Sequence, residues 1–233
     1  MQLSKEFTAY EDRVQISARE NVDAASKADV VLLSIPPNQI FKLFDEPGFA
    51  QALRGKLIIN VVAGVTNQQI GNLLGTSNSA NTYIVSAIPT VGTQIGQSAT
   101  LIEQTEETLP PHIQAHVDAI FSPLGSITLV PTAIYNRAMA VSAATHGLMT
   151  ILTDALIDGG AAAGLPRQVM LDVVSHSIRG YSTMLAEGYD NATLKEAMLI
   201  PNGFTVRSIL AFERKGLRSA ISDTLVETVR LTE

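Results

Sequence analysis

The chain has 233 residues, 46% hydrophobic and 16% charged, which is enough apolar surface to offset the chain entropy lost on folding and to exclude intrinsic disorder. Its 22 acidic against 16 basic residues leave a formal charge of −6, which repels phosphate backbones and anionic lipid, so neither nucleic acid nor membrane is expected as a partner. The absence of cysteine excludes disulfides, thiol nucleophiles and zinc–thiolate sites, and no metal is expected. Lys5, Glu6, Glu11 and Asp12 stand where a secretory signal would be apolar, so a cytoplasmic protein is expected.

In chain order, Val14–Ser17 is a weak strand candidate, and Val30–Ile35 and Leu57–Val62 are continuous apolar runs of the kind parallel strands show when both faces are covered. Helical spacing follows at Asn67–Leu74, a strand at Tyr83–Ala87, a weaker one at Ala99–Ile102, a helix at Ile113–Phe121 and a strand at Ser126–Val130. After Pro131 the period becomes helical throughout. A long helix runs from Ile134 to near Gly164, followed by Arg167–Glu187, Thr193–Met198, Phe204–Lys215 and Leu217–Arg230. Residues 1–130 therefore read as an α/β domain and 131–233 as an all-helical one, hinged at Val130-Pro131-Thr132. Thirty helical residues span about 45 Å, more than a small domain needs, so part of this helix is expected to pack on a partner subunit. Its most apolar stretch, Ala138–Thr153, is shorter than the roughly 20 residues of a bilayer span and reads as a buried core helix.

Parallel α/β sheets take ligands at the carboxyl ends of their strands. There lie Ser34-Ile35-Pro36-Pro37 and Asn60-Val61-Val62-Ala63-Gly64-Val65-Thr66, in which Ala63 and Gly64 would let a ring or a phosphate approach the backbone, or would simply form a turn. No two glycines are separated by a single residue, so the dinucleotide fingerprint is absent, as is the P-loop. His112 and His116 read as a solvated pair, His146 as a hydrogen-bonded core or interface residue, and Asp154 with Asp158 as an interface or solvated edge. In the helical half, Leu199-Ile200-Pro201-Asn202-Gly203-Phe204-Thr205 joins two helices. Its amides would bind a carboxylate and the Thr205 hydroxyl a ligand nitrogen, or Asn202 and Thr205 would only cap the helix.

Asp154-Ala155-Leu156-Ile157-Asp158-Gly159-Gly160, Gly164-Leu165-Pro166, Leu194-Lys195 and Pro201-Asn202-Gly203-Phe204-Thr205 resemble, in order and spacing, the helical dimerisation domain of pyrroline-5-carboxylate reductases. Ala28-Asp29-Val30 to Pro37, Asn60 to Thr66 and Ile88-Pro89-Thr90 to Thr100 resemble the later part of that family's nucleotide-binding domain. The resemblance implies an incomplete Rossmann-like parallel sheet followed by a helical dimerisation domain. It also implies hydride transfer from NADP or NAD, in reduced form, to a cyclic imine, Δ1-pyrroline-5-carboxylate giving proline, in a homodimer or higher homo-oligomer assembled through the helical domain. Thr205 would hydrogen-bond the imine nitrogen, and Ser142 with Pro201, Asn202, Gly203 and Phe204 would bind substrate. Ser34, Ile35, Pro36, Pro37, Asn60, Ala63 and Gly64 would line the nicotinamide and ribose.

Several positions depart from the family. The first strand, its glycine-rich turn and the second strand have no counterpart, which predicts an amino-terminally truncated or divergent member with an exposed sheet edge. Pro36 replaces the family's lysine and Thr90 its asparagine, while Ser142-Ala143-Ala144-Thr145-His146-Gly147-Leu148 replaces a run rich in serine and glycine. Leu199 and Ile200 replace two hydroxyl residues, predicting a more apolar pocket and a less polar imine. The competing expectations are a noncatalytic dimerisation module and an unrelated binding protein.

Overall fold

The computed structural model describes residues 7–10, 12–75 and 81–232. Lys5, Glu6 and Glu11, part of the amino-terminal reading, lie outside them. By packing, the chain divides into two compact units, Met1–Asn136 and Arg137–Glu233, while the strand-to-helix junction lies at Pro131 and Thr132.

In the first unit α1 (Asn21–Lys27) leads into β1 (Val30–Leu33), and two short helices, α2 (Ile40–Phe44) and α3 (Phe49–Ala52), precede β2 (Leu57–Asn60). Then come α4 (Asn67–Leu74), β3 (Tyr83–Ile88), β4 (Ser98–Gln104), α5 (Pro111–Phe121) and β5 (Gly125–Pro131). The five strands lie in the order of the chain, and all neighbours are parallel except β3 and β4. That antiparallel return has a local cause. Only the 3-10 turn Val91–Ile95 links the two strands, too little chain for the crossover a parallel pair needs. The Thr90 amide donates to Ser98 Oγ at 3.0 Å, and the Ala99 amide donates to Thr90 Oγ1 at 3.1 Å. A Cβ on Gly92 would stand 2.2 Å from the Gln97 carbonyl oxygen, so the hairpin closes only around glycine.

Strand alternation divides the core. Ile58 packs with Leu33, Ile40, Phe44, Phe49, Leu53, Ile70 and Leu74 on the face carrying α1 to α4. Leu57 and Ile59 point the other way, to Val85, Ala87, Ile102 and the Ile113, Val117 and Phe121 ridge of α5. Phe121 is the largest fully buried side chain, so Phe121→Ala is expected to cost about 3–5 kcal/mol, read as a lower denaturant midpoint for this unit.

Val14–Ser17, expected as a strand, is not one: no ladder partner among the described residues reaches it, and Val14 and Ile16 stay exposed. The outer strand is β1. The Asp29 and Leu33 carbonyls accept from Leu57 and Val61 of the β2 side, which by alternation turns the backbone groups of Val30 and Leu32 to the open edge.

The second unit is helical: α6 (Thr132–Ala162), α7 (Arg167–Ala186), α8 (Asn191–Met198), α9 (Phe204–Arg214) and α10 (Leu217–Arg230). Gly164 at φ +89° ends α6, with the Leu165 amide returning to the Gly160 carbonyl at 3.1 Å, and Pro166 opens α7. Asp190 caps α8 through the Ala192 and Thr193 amides. The expected buried core helix is not found within the chain. α6 is 31 residues long and mostly exposed, because α7 to α10 do not cover it. By length and composition alone it would also cross a bilayer. Among the described residues beyond Asn136 only Ile157, Val174 and Leu194 are buried hydrophobics. Three such side chains cannot offset the ordering of so much chain, so these helices need apolar cover from outside the unit.

Candidate functional site

The Leu33–Asn60 register sets the carboxyl ends of β1 and β2 side by side, so Ser34–Pro37 and Val61–Thr66 leave the sheet together. Ser34, Pro36, Pro37, Ala63 and Gly64 are exposed there, while Ile35 is half-buried against the core. Gly64 adopts φ +77° beside the turn in which the Val65 amide donates to the Val62 carbonyl at 3.2 Å. Nothing stands within 4 Å of where its Cβ would be, so the loop presents bare backbone to open space.

Asn60, expected to line a cofactor, has another task. It is 1% exposed, and its amide nitrogen donates to the Val65 carbonyl at 2.7 Å and to Ser86 Oγ at 3.2 Å. Its Oδ1 accepts the Val62 amide at 3.0 Å. With both amide hydrogens and its oxygen engaged, the side chain shapes the loop from beneath and leaves ligand contact to the backbone above. Ser86 in turn donates to Asn67 Oδ1 at 2.7 Å, and Asn67 Nδ2 donates to Glu103 Oε2 at 2.7 Å. Sequence reasoning missed Ser86, Asn67 and Glu103. A usable signal was present: a polar residue inside each apolar run, Asn60 in Leu57–Asn60 and Ser86 in Tyr83–Ile88.

These residues fit one end of a dinucleotide. A loop without a Cβ at Gly64, beside small Ala63 and the Ser34 hydroxyl, suits a flat ring and its ribose. They offer no pyrophosphate cradle, since the chain lacks the G-x-G turn. At the start of α4 a capping box takes two of the amides: Thr66 Oγ1 accepts from Gln69 N, and Gln69 Oε1 accepts from Thr66 N.

In the helical unit, Pro201 and Asn202 turn the chain between α8 and α9, with Asn202 at φ +60°. The Gly203 amide donates to the Ile200 carbonyl at 2.8 Å, and a Cβ on Gly203 would lie 2.9 Å from that oxygen. The turn therefore requires glycine. Capping does not explain the segment: Gly203 holds the cap position of α9, and no side chain bonds the first-turn amides. Thr205, half-buried in that first turn, makes no side-chain hydrogen bond within the described residues. Phe204 is 92% exposed, and Ile200 is exposed beside it.

Ser142 is half-buried on α6, where its carbonyl meets His146 Nδ1 at 2.9 Å, and α6 is not packed against α9 within the chain. Packing thus keeps Pro201–Thr205 together as a turn and leaves Ser142 apart from it. His146, expected in a core or interface, is exposed in the single chain. His112 and His116 are exposed on α5 over a cavity of about 190 Å³ shared with Asp29 and Lys56. No cluster among the described residues could hold a metal. Asp158 pairs with Arg167 across the α6–α7 turn.

Residues 133–233 match the family model for pyrroline-5-carboxylate reductase dimerisation, and residues 2–64 match that of coenzyme F420-dependent NADP oxidoreductases. The chain is 31% identical to a delta-1-pyrroline-5-carboxylate reductase of Curvularia clavata over 92% of its own length and 68% of the relative's. It is 27% identical to a pyrroline-5-carboxylate reductase of Lophium arboricola over 97% of this chain and 72% of that one. In fold it is similar to the Coxiella burnetii pyrroline-5-carboxylate reductase, with a TM-score of 0.83 and 22% identity over 98% of this chain and 83% of the other. The Plasmodium falciparum pyrroline carboxylate reductase, solved with NADP bound, gives a TM-score of 0.80 at 19% identity over 93% and 80%. A mostly parallel Rossmann-like sheet followed by a helical region is the architecture these structures share with it. On the identity and coverage of the Curvularia clavata protein, the chain belongs to the pyrroline-5-carboxylate reductase family.

Proposed function

We propose that this chain is an NADPH- or NADH-dependent imine reductase acting as a cytoplasmic homodimer on Δ1-pyrroline-5-carboxylate or a less polar cyclic imine. The observation that carries the reading is the uncapped start of α9, where first-turn amides and the unpartnered Thr205 hydroxyl stand together behind an obligatory Gly203. Such amides with the positive end of a helix dipole hold a carboxylate, and a hydroxyl in the same turn hydrogen-bonds the ring nitrogen. Pro201 and Asn202 fix the turn, and Phe204 offers an apolar wall. Ser142 is assigned to substrate by family resemblance alone.

A reduced nicotinamide, when bound, would supply the hydride that the imine carbon accepts and would leave as the oxidised nucleotide, while the ring nitrogen takes one proton from water. Ser34 to Pro37, Ala63 and Gly64 would orient the ring against the open backbone of the loop. Thr205 holds the imine nitrogen as it gains electron density, and the α9 amides keep the substrate from turning over. Leu199 and Ile200 bring no hydroxyl to this end of the site, which favours an imine with fewer polar substituents.

A second reading, a noncatalytic dimerisation module, is favoured by the match of residues 133–233 to the dimerisation model. Titration with NADPH and NADH, followed by nucleotide fluorescence with light scattering on the same sample, separates the two. Saturable binding and turnover of pyrroline-5-carboxylate are expected. A folded dimer that binds no nucleotide at about 1 mM, a concentration that detects even binding of about 4 kcal/mol, leaves the module.

A further inference from the structure

We propose that Glu103 is a positioning residue of the nucleotide site, acting on the Val61–Thr66 loop from across the sheet through Asn67, Ser86 and Asn60. The proposal rests on the reading of that loop as the nicotinamide-binding segment. The four side chains share one face of the sheet. Asn60 is register partner to Ser86, Glu103 follows the Ala87–Ile102 pair along β4, and Asn67 opens α4 above them.

The bonds run in one direction, and the carboxylate sets it. A carboxylate only accepts, so Asn67 must turn its NH₂ to Glu103 Oε2, at 2.7 Å, and its oxygen to Ser86. Ser86 must then give its one proton to Asn67 Oδ1, at 2.7 Å, which leaves Oγ as the acceptor for Asn60 Nδ2, at 3.2 Å. The same orientation of Asn60 sets its oxygen on the Val62 amide at 3.0 Å and its second hydrogen on the Val65 carbonyl at 2.7 Å, so the chain of bonds adds to the hold the loop's own backbone has on Asn60. These last two bonds bracket Ala63 and Gly64, the bare backbone that would meet the ring. Ser86 is 3% exposed and Asn60 1%, so water does not compete for the inner links, and no buried side-chain polar atom among the described residues lacks a partner.

A neutral glutamine side chain in place of Glu103 can donate as well as accept, so the direction is lost without a change of shape. Glu103→Gln is therefore expected to weaken NADPH binding roughly 3–10-fold, the net worth of one ordinary hydrogen bond, and to speed hydrogen exchange at the Val62 amide. Asn67→Asp alone sets two carboxylates face to face and is expected to be worse on both readouts. The pair Glu103→Gln with Asn67→Asp moves the charge and keeps the direction, since the new carboxylate on α4 accepts from both the new amide on β4 and Ser86. It is expected to restore both readouts to within about twofold of the parent.

The measurement is NADPH affinity by fluorescence titration and Val62 exchange by NMR on all four proteins, with melting temperature alongside. Unchanged affinity and exchange in the single variants, or additive losses in the double variant, overturn the proposal. So does a fall in melting temperature with neither readout moved, which is a purely structural role. If the parent itself binds no nucleotide, the cofactor reading fails, and Val62 exchange in Glu103→Gln still decides whether Glu103 governs the loop.

Discussion

Ile151→Glu is expected to leave the α/β unit folded and to break the assembly of the helical one. Ile151 sits in the middle of α6 and is 70% exposed in the single chain, while Ile134, Val141 and Leu156 are exposed along the same helix. A helix this apolar is not stable in water, and the unit beyond Asn136 buries too few hydrophobics to hold itself together. α9 and α10 add an apolar groove of about 520 Å³ lined by Ile209, Phe212, Leu217, Ile221 and Leu225. If a second copy covers these faces, a carboxylate at position 151 is desolvated with no partner. The expected penalty is at least about 2.8 kcal/mol, a hundredfold or larger rise in the dimer dissociation constant. Light scattering over a dilution series reads it directly, with loss of helical circular dichroism tracking dissociation. A variant that stays dimeric and helical would place Ile151 outside the interface and remove α6 as its spine.

Where side chains act on their own neighbourhood, the sequence was sufficient. The Asn67–Leu74 spacing announces α4, Gly164-Leu165-Pro166 the break between α6 and α7, and the Leu57–Val62 run a strand covered on both faces. What required the structure was long-range. The antiparallel return of β4 follows from the closure of the Thr90–Ser98 hairpin, which no period reveals. Val14–Ser17 has strand chemistry, but a strand exists only with a partner. Asn60 reads from its place at a strand end as a ligand contact, yet residues 5, 7, 26 and 43 positions away in sequence, at Val65, Asn67, Ser86 and Glu103, form the network that turns it inward. Likewise, whether Asn202 and Thr205 cap α9 is open from the sequence, and it is decided by first-turn amides that have no side-chain partner.

That last observation makes Thr205→Val the substitution with the sharpest expected outcome for activity. Valine keeps the shape and the β-branch but removes the hydroxyl, so the helix should barely notice: Thr205 makes no bond to lose, and stability is expected to move by less than about 0.5 kcal/mol. Catalysis should respond strongly. The hydroxyl is worth most when the imine nitrogen carries the electron density of the reduced product, so the loss is expected in kcat rather than KM. A fall of roughly 100–1,000-fold in kcat/KM corresponds to about 2.7–4 kcal/mol, the range for deleting one preorganised donor. NADPH affinity should be unchanged, and Thr205→Ser, which restores the hydroxyl without the methyl, should recover most of the rate. The opposite pattern, a melting temperature lowered by the loss of about 1 kcal/mol with the rate intact, would mean that Thr205 caps α9 in solution. In that event the substrate nitrogen must be held elsewhere, and the apolar surroundings of Leu199, Ile200 and Phe204 would have to orient the imine by shape alone.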